Sequence, residues 1–226
     1  MSYFIQLGAG VGKDGFYKTV LRDANENDEI ILVEANKFLI KQLESNYKSF
    51  KNVQIINKSI IPEGFSKKEV SLYYSEENGP NYEMSSLDKN HLIKHAISEN
   101  SIKELSVKGI TINDLLENLN EKEINYLAID LEGLDEEIIH NINFKKYKIY
   151  KITTEHIHMK NRYKIIKKMY QNNYFLFNDE FKSELDLLFI QNKNSFKNLI
   201  KKYLKVIYLM TVEKNITRKK SLQIKK

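Results

Sequence analysis

Short apolar runs alternate with segments of helical periodicity along much of the chain. Tyr3–Leu7, Glu29–Glu34 and Val53–Asn57 read as strands. Between them, Asp14 to Ala24 suits a helix, and Leu39, Leu43 and Tyr47 fall on one helical face. Strands that alternate with helices predict an α/β domain in which helices cover both faces of a mostly parallel sheet.

The alternation breaks between Pro62 and Val107. Val70, Leu72 and Tyr74 alternate as in a strand, Asn78-Gly79-Pro80 reads as a turn, and Asp88 to Ile97 suits a short helix. An insertion near the carboxyl ends of the strands is expected to set substrate specificity. The inserted segment contains Tyr73, Tyr74 and Tyr82. These tyrosines could stack on a flat ligand, but we favour the interpretation that they pack in the core.

The alternation of strand-like and helix-like segments returns at Ser106. Thr111–Asp114 resembles a capping box that starts a helix. Asn125–Asp130 and Ile149–Thr154 are apolar strands, and we expect them to be neighbours in the sheet.

Three alternate glycines join the first strand to the first helix: Gly8, Gly10 and Gly12. Glycine tolerates left-handed dihedrals and lets a ligand approach bare backbone, while the helix that follows directs its free N–H groups at the same point. We therefore predict a cradle for a nucleotide-type cofactor. A glycine-rich loop without a ligand is the alternative.

A carboxylate ends the second strand. Glu34 follows Gly12 by 22 positions, and at the tip of that strand it can accept both hydrogen bonds of a ribose diol. The residues just past the third strand, Ser59 and Ile60, are expected near the base of the cofactor or, equally well, in an ordinary loop.

Acidic residues follow the later strands. Asp130 and Glu132 stand side by side at a strand tip, so one carboxyl can have a raised pKa and accept a proton during chemistry. Asp130 as a mere helix cap is the alternative. Glu155-His156 ends the next strand, where His156 is either a general base or a hydrogen-bonded structural residue. Asp130, Glu132 and Glu155 could supply oxygens to Mg²⁺, but the spacing fixes no geometry and we assign no metal.

Composition narrows the classes of protein. The chain has 226 residues, no cysteine and a net charge of +6. Residues 193–226 hold 11 basic residues and one acid, which leaves the first 192 residues at −4. The basic excess is thus confined to the tail, and we predict no nucleic-acid partner. Without cysteine, a signal peptide or an 18-residue apolar run, a cytoplasmic protein is expected.

Residues 193–226 form a segment of their own. Phe196, Leu199, Ile200 and Tyr203 begin an apolar stripe at helical spacing, with lysines elsewhere. This basic amphipathic helix is expected to pack on protein or, alternatively, to lie on an anionic membrane; the last residues are expected to be disordered.

Four stretches resemble FkbM-type methyltransferases in order and spacing. They are Phe4–Gly12, Leu32–Ala35, Ile110–Leu116 and Leu127–Gly133, which ends in Asp-x-Glu-Gly. The resemblance covers residues 3–192 and implies the class I methyltransferase (Rossmann-like) fold, a seven-stranded sheet whose final hairpin is antiparallel. Tyr174–Asn178 and Glu184–Gln191 fit that hairpin.

The resemblance also implies the cofactor S-adenosylmethionine (SAM) and its contacts. Gly8, Ala9, Gly10 and Gly12 would line its methionine and ribose side, Glu34 and Ala35 its ribose, Ser59 and Ile60 its adenine, and Asp130 the methionine end. The expected catalytic residues are Asp130, with Glu132 and His156 as further candidates.

The function expected on these grounds is O-methylation of a sugar, glycan or small metabolite. Two alternatives stay open. Gln6 stands where members of the family usually have aspartate, which favours a non-catalytic binding or assembly module. Gly10, Gly12 and Gly15 also spell the G-x-G-x-x-G string of nicotinamide dehydrogenases, although two residues late.

Overall fold

The first half of the domain is a run of parallel strands and helices. The structure, a computed structural model, describes residues 1–65, 68–78, 84–119, 123–177 and 186–191. Helix α1 begins because the Asp14 carboxylate accepts a hydrogen bond from the Tyr17 amide, and Asn36 caps α2 in the same way. The elements are β1 (Ser2–Leu7), α1 (Gly15–Asp23), β2 (Glu29–Val33), α2 (Lys37–Tyr47) and β3 (Val53–Ile56).

The inserted segment forms a second sheet. Its elements are β4 (Ser59–Ile61), β5 (Glu69–Ser75), β6 (Ser85–Ser86), α3 (Lys89–Lys94) and β7 (Ile102–Thr111). The strand order is β4-β7-β5-β6, in which β7 pairs parallel with β4 and antiparallel with β5. The predicted strand over Val70–Tyr74 lies within β5, and the predicted helix is shorter than expected because α3 ends at Lys94.

The remaining elements complete the main sheet. Thr111 caps α4 by accepting a hydrogen bond from the Asp114 amide, as predicted. The elements are α4 (Ile112–Glu117), β8 (Glu123–Ile129), α5 (Asp135–Asn141), β9 (Ile149–Glu155), α6 (Arg162–Gln171), β10 (Tyr174–Leu176) and β11 (Asp186–Gln191). None of the described helices combines the length and the apolar character needed to cross a bilayer.

The main sheet has seven strands in the order β10-β11-β9-β8-β1-β2-β3. Strands β3, β2, β1, β8 and β9 are parallel, and β11 pairs antiparallel with both β9 and β10. This confirms the predicted α/β class, the antiparallel final hairpin and the pairing of the Asp130 strand with the Ile149 strand. Tyr82 and the predicted helix from 193 onward lie outside the described residues.

Two apolar cores lie on opposite faces of this sheet. On one face Ile5, Leu127 and Ile129 pack with α5 and α6, and on the other Phe4 and Tyr126 pack with α1 and α2. Because both faces are covered, the central strands are buried throughout, as parallel strands usually are. Tyr74 is also buried and packs on Phe38 with ring centroids 5.5 Å apart, which agrees with a packing role.

Candidate functional site

A cleft of about 530 Å³ opens at the carboxyl ends of β1, β2 and β8. In a parallel sheet of this kind, ligands bind at this edge where neighbouring connections diverge. The cleft brings together all the residues predicted to bind the cofactor: Gly8, Ala9, Gly10, Gly12, Glu34, Ala35, Ser59, Ile60 and Asp130.

The glycine turn follows β1 directly and is fastened to β2. The amides of Gly8 and Ala9 both donate to the Val33 carbonyl, at 3.0 and 3.1 Å. Gly8 has a φ of +76°, and a Cβ there would overlap the Asp130 carbonyl oxygen. Glycine is therefore needed at Gly8 for the close approach of the turn to the end of β8.

The other two glycines of the turn serve different purposes. Gly12, with φ +70°, faces α2, and a Cβ there would lie 2.5 Å from Leu43 Cδ1. Gly10 has a φ of +53°, and a Cβ added there would have no atom within 4 Å. The space on that side of Gly10 is therefore open. Bare backbone at Gly10 thus borders the cleft, as predicted for a ligand cradle.

Glu34 stands beside the turn at the end of β2. Its Oε2 accepts a hydrogen bond from the Gly10 amide and its Oε1 one from the Asn36 amide, each at 2.7 Å. Burial raises the pKa of Glu34 to about 7, although these backbone donors act in the opposite direction. The carboxylate is therefore fixed against the turn, with lone pairs left to accept further hydrogen bonds.

The side of the cleft beyond β3 is formed by the start of β4. Ser59 and Ile60 begin β4 and are both buried. The Asn57 side-chain amide donates to the carbonyls of Glu34 and Ala35, at 2.8 and 3.1 Å, and so ties this wall to the end of β2. Ser59 and Ile60 thus line the cleft on the side of Glu34 where the sequence predicted the base of the cofactor.

Asp130 lies at the opposite end of the cleft, just past β8. Its amide donates to the Leu7 carbonyl at 3.0 Å, while its side chain is exposed to solvent in the cleft. Protein atoms nevertheless enclose the carboxyl on most sides, and this burial raises its pKa to about 8, with a further contribution from Glu132. Two carboxylates at one strand tip do repel each other as the sequence predicted.

Glu132 is held in an unusual backbone conformation. It has a φ of +47°, which is uncommon for a residue with a side chain, and Gly133 after it has a φ of +103°. The Ser86 hydroxyl donates to the Glu132 carbonyl at 3.1 Å, and Glu132 Oε2 lies 3.0 Å from His91 Nε2. The turn thus directs the Glu132 carboxylate toward a histidine of the inserted segment.

Asp135 is a structural acid of the same loop. It is buried, and its two carboxylate oxygens accept hydrogen bonds from the Leu131 amide and the Thr154 hydroxyl, each at 3.3 Å. Burial raises its pKa to about 7. Asp135 therefore secures the loop that carries Asp130 and Glu132.

Three histidines meet beside Glu132: His91, His95 and His158. Their ring centroids are 4.5 to 5.0 Å apart in every pairing. Each offers a nitrogen, and these nitrogens lie within 4.8 Å of one another; the same is true of oxygens of Glu132 and Glu155 with a nitrogen of His158. Asp130 belongs to neither group, so the oxygen cluster considered from the sequence forms only in part.

Sequence reasoning missed His91 and His95. A signal was present, because histidines four positions apart fall on one helical face, a spacing that metal-binding helices use. Their partner His158 follows β9, more than 60 positions later in the chain, so only the folded structure brings the three together.

His156 stands apart from the cleft. It is buried, its Nδ1 lies 2.9 Å from Arg162 Nη1, and it is not among the described residues that line the cleft. A catalytic role of His156 therefore stays a prediction. Its contact with Arg162 agrees with the alternative, a hydrogen-bonded structural histidine.

Gln6 also lies outside the cleft. Its side-chain amide donates to the Asp14 carboxylate at the start of α1, and it lines a second cavity of about 500 Å³ on the α1 side of the sheet. Because Asp14 lines the cleft, the departure at Gln6 bears on the support of α1 and, through Asp14, on the cleft wall.

A sequence model of the methyltransferase FkbM domain matches residues 6–193. No protein of curated function matches the chain by sequence. The matched range contains the glycine turn, Glu34, Asp130 and all three clustered histidines.

Among solved structures, a precorrin-6y C5,15-methyltransferase from Geobacter metallireducens is 13% identical, with a TM-score of 0.43 over 84% of this chain and 80% of that chain. The fibrillarin/Nop5p complex gives 9% identity and a TM-score of 0.41 over 84% of this chain and 72% of that chain.

Proposed function

This chain belongs to the methyltransferase FkbM family, and on that premise we propose that it transfers a methyl group from SAM to a hydroxyl oxygen of a sugar, glycan or small metabolite. The observation that carries the proposal is the shared cleft. One cavity is lined by the glycine turn, by Glu34 at the end of β2 and by Asp130 at the end of β8.

The residues of the cleft fit the parts of SAM. Glu34 would accept the hydrogen bonds of the ribose diol, for which it is already positioned by the Gly10 and Asn36 amides. Ser59 and Ile60 would flank adenine, and the turn would pass the methionine part toward Asp130. SAM itself supplies an electrophilic methyl group on a sulfonium.

The transfer requires few protein groups. The acceptor oxygen forms a bond to the methyl carbon while the sulfur–carbon bond breaks, S-adenosylhomocysteine leaves as a neutral thioether, and the hydroxyl proton goes to a base. The protein must hold the oxygen in line at roughly 3 Å and stay close to that proton. Asp130 is the residue we assign to this position, because it follows β8 beside the turn, is exposed to solvent and lines the cleft.

The acceptor would enter past the inserted segment. Met84, Ser85 and Leu87 line the cleft together with Glu132 and Asp130. These residues mix apolar contacts with hydroxyl and carboxylate groups, which suits an acceptor that carries several hydroxyl groups.

The dehydrogenase alternative finds little support in the glycines. Gly15 is the first residue of α1, and a Cβ there would meet no atom within 4 Å. The third glycine of a dinucleotide fingerprint is required for close packing of helix on strand. At Gly15 nothing in the described part of the chain demands glycine.

Thermal unfolding with added ligands tests the proposal. S-adenosylhomocysteine at about 100 times its dissociation constant should add roughly 2.7 kcal/mol of stability, and NADH should add none. Stabilisation by NADH alone would favour the dehydrogenase, and stabilisation by neither would favour the non-catalytic module. Transfer of labelled methyl from SAM to a panel of sugars and glycans, lost in Asp130→Asn, would then identify the acceptor class.

A further inference from the structure

Three imidazole rings from two distant parts of the chain face one another at the edge of the cleft. His91 lies in α3, His95 follows its last residue by one position, and His158 lies three residues past β9. The three pairwise centroid distances are 4.7, 4.5 and 5.0 Å. Histidine is the commonest metal ligand of proteins, and nitrogens within 4.8 Å of one another can share one ion.

Two carboxylates beside these rings also favour a metal site. Glu132 Oε2 lies 3.0 Å from His91 Nε2, the carboxylate–histidine pairing that orients metal-bound imidazoles. Glu155 Oε2 lies 3.6 Å from His158 Nε2, is buried and has no hydrogen-bond partner among the described residues. A buried carboxylate oxygen without a hydrogen-bond partner is costly, and a cation beside it would remove that cost.

The backbone is shaped to allow this arrangement. Glu132 has a left-handed backbone conformation, with a φ of +47°, and residues held in such conformations cluster at active sites and ligand-binding sites. A Cβ on Gly133 would lie 3.3 Å from His91 Nδ1, so glycine leaves room at that nitrogen.

We propose that His91, His95 and His158 bind one divalent transition-metal ion of the Zn²⁺ type, with Glu132 and Glu155 orienting the histidines or completing the coordination. Imidazole nitrogens favour Zn²⁺, Co²⁺, Ni²⁺ or Fe²⁺, whereas Mg²⁺ favours oxygen ligands alone. Metal binding at this site does not depend on the methyl transfer proposed above. Since Glu132 also lines the cleft, the ion would sit on its acceptor side, a consequence that does rest on that proposed function.

The chain is well suited to a binding test. It has no cysteine and five histidines, three of which form the cluster, so few other sites compete for Zn²⁺. The untagged full chain, stripped with a chelator, is titrated with Zn²⁺ in a calorimeter without SAM, and Co²⁺ is added separately to record its visible absorption. His95→Asn is the test variant because His95 is exposed, and His140→Asn is the control because His140 lies outside the cluster.

We expect one Zn²⁺ per chain in the wild type and in His140→Asn, and affinity lower by on the order of 100-fold in His95→Asn. Co²⁺ should give the intense absorption of a low-coordinate nitrogen site in the same two proteins only. Absence of Zn²⁺ binding by the wild type, equal binding by both variants, or preference for Mg²⁺ over Zn²⁺ would each overturn the proposal. Circular dichroism of both variants checks that they are folded.

Discussion

The protonation of Glu34 should control the affinity for the nucleoside part of the cofactor. The pKa of Glu34 is raised to about 7 by burial, whereas a ribose diol donates its hydrogen bonds best to the ionised carboxylate. If only protein with ionised Glu34 binds the nucleoside, then about a tenth of the protein can bind at one pH unit below the pKa. Affinity should therefore fall about tenfold between pH values of about 8 and 6.

5′-Methylthioadenosine is a suitable probe for this effect. It carries the adenine and ribose of SAM and a neutral thioether in place of the sulfonium, but lacks the amino acid, so it has no group of its own that titrates in this range. Calorimetric titration of the wild type across the range gives the pH profile. In Glu34→Gln the affinity should be lower by about 2 kcal/mol, roughly 30-fold, because a charged acceptor is lost, and it should not vary with pH.

The same shift makes a prediction for stability without ligand. The pKa of Glu34 in the folded protein lies above its ordinary value of 4.5, so its contribution to stability is complete below that value and is lost as pH rises through about 7. Relative to Glu34→Gln, the wild type should lose up to about 3 kcal/mol of unfolding free energy between pH values of about 5 and 8. Denaturant unfolding of both proteins measures the difference. Identical pH profiles, in binding or in stability, would refute the assignment of Glu34.

Three further substitutions test the rest of the site and the fold. Gly8→Ala should destabilise the protein by several kcal/mol in thermal unfolding, because its Cβ would overlap the Asp130 carbonyl, whereas Gly10→Ala should cost only about 1 kcal/mol and should instead weaken S-adenosylhomocysteine binding; equal effects would contradict this difference. Asp130→Asn should reduce methyl transfer by at least about 100-fold while leaving the melting temperature within a few degrees, and wild-type turnover would disprove its role. Leu127→Ala, at a fully buried position of β8, should cost about 2–5 kcal/mol in urea unfolding, and a loss below about 1 kcal/mol would show that the described core is wrong there.

Much of the main sheet could be predicted from sequence because its signals are local. The run Tyr3–Leu7 is apolar at every position except Gln6, which is typical of a strand buried on both faces, and Asp14 and Thr111 cap the helices that follow them. Glu34 and Asp130 follow such strands directly. Since parallel strands end at the same edge, their positions in the chain already placed them near one another.

The second sheet could not be predicted in the same way. Strand β7 carries charged residues at Lys103, Glu104 and Lys108, and its apolar positions do not stand out. It is defined by pairing with β5, whose residues lie some 30 positions earlier, and with β4, so its stability comes from contacts that no local pattern encodes. The histidine cluster likewise depends on contacts between residues that are far apart in the chain.

Glu34 shows a second limit of sequence reasoning. Its position predicted hydrogen bonds to a ribose, but its contacts with the Gly10 and Asn36 amides depend on the exact course of the turn. Its raised pKa depends on burial, which follows from how β3 and the turn enclose it. For Glu34, the identity and spacing of residues therefore predicted its place in the cleft but not its protonation.

The most direct test of the central claim is a crystal structure of the full chain with S-adenosylhomocysteine. We predict that both ribose hydroxyls lie within hydrogen-bonding distance, roughly 2.6–3.2 Å, of the Glu34 carboxylate, with adenine against Ile60 and the sulfur directed toward Asp130. Ligand density at the second cavity beside Gln6, or ribose hydroxyls that make no contact with Glu34, would contradict the account.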